Sequence, residues 1–95
     1  TTIGCIVTDA RLTKAEAAWV AALAMGGYAL ALSPPHLPSD GDTLFCLSVG
    51  EREADPAQVG KAAAQVVARA IVRGVRSATG LPGLPAARDL GGGGG

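Results

Sequence analysis

Aromatic side chains are scarce in this chain: one Phe, one Trp and one Tyr in 95 residues. Hydrophobic residues make up 48% of it. Much of that is Ala, which adds little side-chain area, so the core that the chain could bury alone is thin. Net charge is lacking too. Eight basic residues balance eight acidic ones, which argues against electrostatic capture of nucleic acid. There are only two cysteines, Cys5 and Cys46, each inside an apolar run. They read as small buried hydrophobes in a reducing compartment, with a bridge between them left open. No basic segment followed by an apolar core and a small-residue cleavage site marks a signal peptide. Within the uncharged run after Glu16, the apolar part, 17–32, falls short of the roughly 20 residues that span a bilayer and is interrupted by Gly26-Gly27. The expectation is therefore a soluble, cytoplasmic chain with no membrane partner. No phosphate loop, zinc spacing or Ser-His-Asp motif occurs, and neither a cofactor nor a metal is expected.

An initiator Met is also missing. The first residue is Thr1, and Thr2-Ile3-Gly4-Cys5-Ile6-Val7-Thr8 behind it reads as a buried strand. A free α-amine and a hydroxyl on a rigid strand form the arrangement of an N-terminal nucleophile, in which the amine acts as base for its own side chain. A leading Thr also arises whenever Met is trimmed, so the remaining residues have to decide.

That first strand carries apolar side chains on both parities, as central strands covered on both faces do. After a short connection at Asp9-Ala10-Arg11, Thr13-Lys14-Ala15-Glu16 is a capping box. It opens a helix expected to run to about Ala31. The helix's apolar residues (Trp19, Val20, Leu23, Met25, Tyr28, Leu30) go most of the way round, which predicts burial on more than one side. Gly26-Gly27 weakens it, and close approach of a neighbouring backbone is a reason for glycine there. Residues 33–41, with three prolines and His36, form a loop. A second strand follows over Asp42–Val49, then a charged connection from Gly50 to Ala54. Asp55-Pro56-Ala57-Gln58 is a second helix start. Val59, Ala62, Ala63, Val66, Val67, Ala70 and Ile71 make an apolar face opposite Lys61, Arg69, Arg73 and Arg76, and Gly80 is the expected end. An extended arm follows, and then a disordered glycine tail over 91–95.

This β-α-β-α-plus-arm order is incomplete as it stands. Two strands do not make a stable sheet alone, and both of these ask to be covered on both faces. The sequence therefore predicts one part of a larger α/β domain, residues 1–90, whose missing strands come from another chain.

Three residues carry the chemistry in this reading. Thr1 is the nucleophile, with an α-amine able to work near neutrality. Asp40 and Asp42, in Asp40-Gly41-Asp42-Thr43, are its carboxylate surroundings. Local chemistry alone favours a turn entering a strand there. The functional reading requires the two strand starts to be neighbours, which a parallel βαβ crossover provides. The carboxylates would then hold the ammonium or hydroxyl and set its pKa. Asp-x-Asp without further ligands is a poor divalent-metal site. His36 reads as a loop or substrate-rim residue, the cysteines lack a basic neighbour that would make a catalytic thiol, and the Lys61–Arg76 row reads as a solvated face.

Taken together, Thr1-Thr2-Ile3-Gly4, the Thr8-Asp9-Ala10 turn leading to Leu12-Thr13-Lys14-Ala15, and Pro35-His36 leading to Asp40-Gly41-Asp42-Thr43 resemble one family. It is the L-aminopeptidase/D-esterase family of self-cleaving hydrolases, which includes β-peptidyl aminopeptidases and the nylon-oligomer hydrolase. The resemblance spans about Thr1 to Leu90. It implies that the chain is a small subunit released by cleavage before Thr1, sharing an αββα sandwich with a larger subunit of the same precursor, and that such heterodimers assemble further. It also implies Thr1 as nucleophile, Asp40 and Asp42 as its hydrogen-bonded surroundings, and amide substrates such as short peptides, β-peptides or polyamide oligomers. Met25-Gly26-Gly27-Tyr28 departs from the more polar stretch expected in relatives. Two other readings stand beside this one. One is a self-processing acyltransferase of the ornithine acetyltransferase kind, against which the Asp40-Gly41-Asp42-Thr43 match speaks. The other is a non-catalytic assembly module.

Overall fold

Parallel pairing of two strands sets the frame of this small α/β domain. In the computed structural model, residues 1–32 and 41–90 are described. They form β1 (Ile3–Ala10), α1 (Lys14–Ala24), α2 (Gly26–Ala31), β2 (Thr43–Arg52), α3 (Pro56–Ser77) and a closing 3₁₀ turn over Ala87–Leu90. Ile3 lies opposite Thr43, and the register runs one-to-one to Thr8 opposite Ser48. Parallel neighbours need a long crossover, which α1 and α2 supply. His36, Asp40 and the glycine tail, all named from the sequence, lie outside the described residues.

Both strands run further than their polar ends suggested. Beyond Thr8 the register shifts, so that Ala10 comes opposite Arg52. The bare Cα of Gly50 lets β2 lie against the Asp9 carbonyl. The Ser48 hydroxyl donates to the Ala10 carbonyl at 2.6 Å and accepts from the Leu12 N–H at 3.0 Å. This side-chain bridge holds the irregular end together and aims the chain into α1. The Asp9–Arg52 and Arg11–Glu53 pairs outside it, at 2.9 and 3.3 Å, are exposed and add little.

The single helix expected up to Ala31 is two helices. The capping box forms as read: Thr13 Oγ1 accepts from the Glu16 N–H at 3.1 Å, and Glu16 Oε1 from the Thr13 N–H at 2.8 Å. At Met25 the ladder is interrupted, and the Tyr28 N–H bonds the Met25 carbonyl, three residues back, at 3.0 Å. Two adjacent glycines make this break inexpensive. Gly27 also abuts α3, where a Cβ would run into the Ala64 carbonyl and lie 2.9 Å from Val67 Cβ. Close approach thus explains Gly27, while a Cβ at Gly26 would meet no other part of the described chain within 4 Å.

α3 starts as predicted, with Asp55 accepting from the Ala57 N–H at 3.1 Å and Pro56 in the first turn. Removing this cap by Asp55→Ala is expected to cost about 1 kcal/mol, read as a lower urea midpoint at unchanged slope. The buried stripe is narrower than the predicted face: Gly60, Ala63 and Val67 are buried, whereas Ala62, Val66 and Ala70 are exposed. The helix stops at Ser77 rather than Gly80. There the Arg88 guanidinium donates to the carbonyls of Arg76 and Ser77, at 3.2 and 2.8 Å, satisfying last-turn groups that have no intrahelical partner. The expected extended arm instead folds back. Leu81 and Leu84 exchange backbone bonds at 2.9 and 2.8 Å around Pro82-Gly83, and Gly83 has φ 76°, as position three of a type II turn requires.

The core consists of Val20, Ala24, Tyr28, Ala63 and Val67, with Ile6, Leu44 and Cys46 of the sheet packed against it. Trp19 and Leu23 on α1 stay partly exposed, so that helix is not enclosed on all sides. Among the described residues, the helices cover one face of the sheet only. On the other face Ile3, Val7, Phe45, Leu47 and Val49 are all between 51% and 70% exposed. Strand alternation sends Cys5 to this open face and Cys46 to the covered one. Both thiols are free. Cys5 is thus exposed rather than buried within this chain, and the bridge left open by the sequence does not form. Among the described residues no helix is long and apolar enough to cross a membrane.

Candidate active site

The register that pairs Ile3 with Thr43 places the two residues before each strand side by side. The Thr43 N–H donates to the Thr2 carbonyl at 2.9 Å, the first rung of the ladder. One residue earlier the pattern becomes side chain to backbone. Asp42 Oδ1 accepts the Thr2 N–H at 2.9 Å, and the Gly41 N–H donates to Thr1 Oγ1 at 3.1 Å. The Thr43 hydroxyl closes back onto the Gly41 carbonyl at 2.9 Å, fixing the turn from which that N–H points.

Two of the three residues singled out from the sequence, Thr1 and Asp42, therefore meet at one end of the sheet. Asp40 lies outside the described residues. The Asp42 carboxylate is held by the amide next to Thr1, and the Thr1 hydroxyl faces a backbone donor. Such a donor stabilises negative charge growing on Oγ as its proton leaves. It also selects one side-chain orientation for the hydroxyl.

A third participant, Tyr28, was legible only as one apolar residue among many. It is 1% exposed, and its hydroxyl donates to the Thr43 carbonyl at 2.7 Å, with the Thr2 carbonyl 3.4 Å away. A buried phenol needs a polar partner. That requirement was the available signal, but the partner follows only from the helix break at Met25, which the sequence did not locate. Burial and then the negative charge of Asp42 raise the Tyr28 phenol above its ordinary value, so it remains a neutral donor. Gly4 leaves room for it: a Cβ there would lie 3.1 Å from the Tyr28 oxygen and 2.8 Å from a Leu44 methyl. Cys46 also titrates higher than usual, through burial and then through Cys5, which lowers its thiolate fraction and suits a packing role.

With this geometry in place, comparison with known proteins decides the family. The sequence profile of peptidase family S58 matches residues 1–88. The chain belongs to that family. An uncharacterized aminopeptidase of Mycobacterium tuberculosis is 37% identical over 95% of this chain and 30% of its own length, as is one from Mycobacterium bovis. One from Mycobacterium leprae is 36% identical over 90% of this chain and 28% of its own. The chain thus spans under a third of the length of these relatives. No solved structure matches it. Peptidase family S58 is the L-aminopeptidase/D-esterase family that the amino-terminal and Asp-Gly-Asp-Thr residues resemble. The match includes both strand starts and the helix carrying Tyr28.

Proposed function

We propose that this chain is the nucleophile-bearing part of an amide hydrolase of the aminopeptidase type, produced when a longer precursor cuts itself before Thr1. The observation that carries the reading is the meeting of Thr1 and Asp42 at the strand starts, with the Gly41 N–H on Thr1 Oγ1. In the reaction Thr1 Oγ forms a bond to an amide carbonyl carbon while its proton passes to the α-amine. The same proton then goes to the leaving amine as the C–N bond breaks, leaving an ester on Thr1. Water hydrolyses that ester and restores the hydroxyl. Asp42, and Asp40 by sequence proximity, supply the negative surroundings that favour the transient ammonium.

A larger chain from the same precursor completes the fold in this proposal. Two features support it: the open apolar sheet face described above, far more exposed than a two-stranded sheet tolerates alone, and the relatives' greater length. That chain covers the face as the second layer of an αββα sandwich and brings donors for the oxyanion. Assembly of the heterodimer into a higher oligomer belongs to the same proposal.

Expressing the full precursor and measuring intact masses tests it. Two chains are expected, the smaller beginning at Thr1, with release of amine from amino-acid amides or short peptides. A lone stable small chain, or acetyl transfer to an amino-acid amine without amide hydrolysis, would overturn the reading. Within the active enzyme, Asp42→Asn is expected to lower kcat roughly 10- to 100-fold, because it weakens a charge-assisted bond and removes the negative charge beside Thr1.

A further inference from the structure

We propose that Tyr28 is a positioning residue of this active site, its buried hydroxyl setting the relative placement of Thr1 and Asp42 through the Thr43 carbonyl. The inference rests on the hydrolase reading above and adds a residue outside the motifs that support it. The ring of Tyr28 is locked in the core beside Val20, Ala24 and Val67. Its hydroxyl reaches the only part of the sheet where functional side chains gather among the described residues, bonding the Thr43 carbonyl at 2.7 Å. Thr43 follows Asp42 directly, and its N–H bonds the Thr2 carbonyl. Thr2 follows Thr1 directly, and its N–H bonds Asp42. One phenol thus ties the helical layer to the backbone of both strand starts.

The cause lies in the chain upstream. The Gly26-Gly27 break starts a new short helix, and Gly27 lets that helix sit against α3 at backbone contact. Gly4 in turn leaves the space beneath β1 into which the hydroxyl projects. Without the bond, the Thr43 carbonyl loses a donor and the strand starts are free to shift. Misplacement of catalytic groups by about 1 Å costs up to about 100-fold in rate. Tyr28 touches no reacting atom, so its effect must pass through Asp42 and Thr1.

The experiment uses the full precursor and its assembled product. In Tyr28→Phe the ring and its packing remain. The expected result is a kcat about 10-fold lower with KM within about 2-fold, the pattern of a group needed in the transition state and not in substrate binding. In the double variant Tyr28→Phe with Asp42→Asn, the loss should fall well short of the product of the single losses, because Tyr28 acts by placing the Asp42 carboxylate relative to Thr1. Amide exchange at Thr2 and Gly41 should quicken in Tyr28→Phe. A kcat equal to wild type with only a lower Tm, or losses that multiply in the double variant, would show a purely structural tyrosine and overturn the proposal. If Tyr28→Phe yields too little folded protein, p-aminophenylalanine at position 28 keeps a donor there. It should hold kcat within about 3-fold of wild type, and a loss as large as that of Asp42→Asn would count against the proposal. Failure of the hydrolase reading itself looks different. The wild-type protein would then show no amide hydrolysis, or hydrolysis that Thr1→Ala does not change, and the exchange rates at Thr2 and Gly41 would still report whether Tyr28 holds the strand starts.

Discussion

Replacing Thr1 by Ala is expected to leave the precursor as one uncut chain and to lower amide hydrolysis by roughly 10³-fold or more, the scale of losing a nucleophile. The two effects share one cause. The hydroxyl that the Gly41 N–H orients is, in the proposed mechanism, the attacking atom both in maturation and in turnover. Producing the two chains separately, with the small chain begun at Ala in place of Thr1, isolates the second role: assembly without hydrolysis is expected. Thr1→Ser keeps a hydroxyl and an amine in place and should keep both activities. Cleavage and turnover at wild-type rates in Thr1→Ala would remove Thr1 from the chemistry.

A large effect on stability is expected from Gly27→Ala. Helix propensity alone says that Ala in place of Gly should stabilise by up to about 1 kcal/mol. Contact says the opposite. The new methyl would run into the Ala64 carbonyl and sit 2.9 Å from Val67 Cβ. Both neighbours are held on α3, and one is rigid backbone, so α2 and α3 must move apart. Overpacking of this kind costs typically about 1–3 kcal/mol, and here it also lifts Tyr28 away from the strand starts. Gly26→Ala is the control. Outside its own helix, nothing among the described residues lies within 4 Å of its would-be methyl, and it should be neutral or slightly stabilising. Urea unfolding of the assembled protein distinguishes them: a lowered midpoint for Gly27→Ala and an unchanged or raised one for Gly26→Ala. Equal midpoints would mean that the α2–α3 contact is looser than described.

What could be read in advance depended on whether the deciding interactions were local. The Thr13–Glu16 box, the Asp55-Pro56 start and the two apolar strands are short-range signals, and all three formed. The neighbouring strand starts followed from the length of the crossover, and with them the approach of Asp42 to Thr1. The helix break at Met25 was not legible, because Gly26 and Gly27 are tolerated inside helices and only the contact with α3 gives Gly27 its purpose. Tyr28 escaped because its partner is a carbonyl 15 residues further along the chain, at the start of β2. The over-wide apolar face on α3 had another cause. Val66 and Ala70 satisfy the helical period but stay exposed among the described residues. The same holds for Phe45 and Val49 on the sheet, whose outward apolar side chains fit a covering layer contributed from elsewhere.

Trapping the acyl group tests the central claim most directly. The assembled enzyme is mixed with a slowly hydrolysed amino-acid ester, quenched in acid and digested. The proposed mechanism predicts one added acyl mass on the peptide that begins at Thr1, absent in Thr1→Ala. Hydrolysis with the adduct on another residue, Cys5 on the open face included, would contradict it.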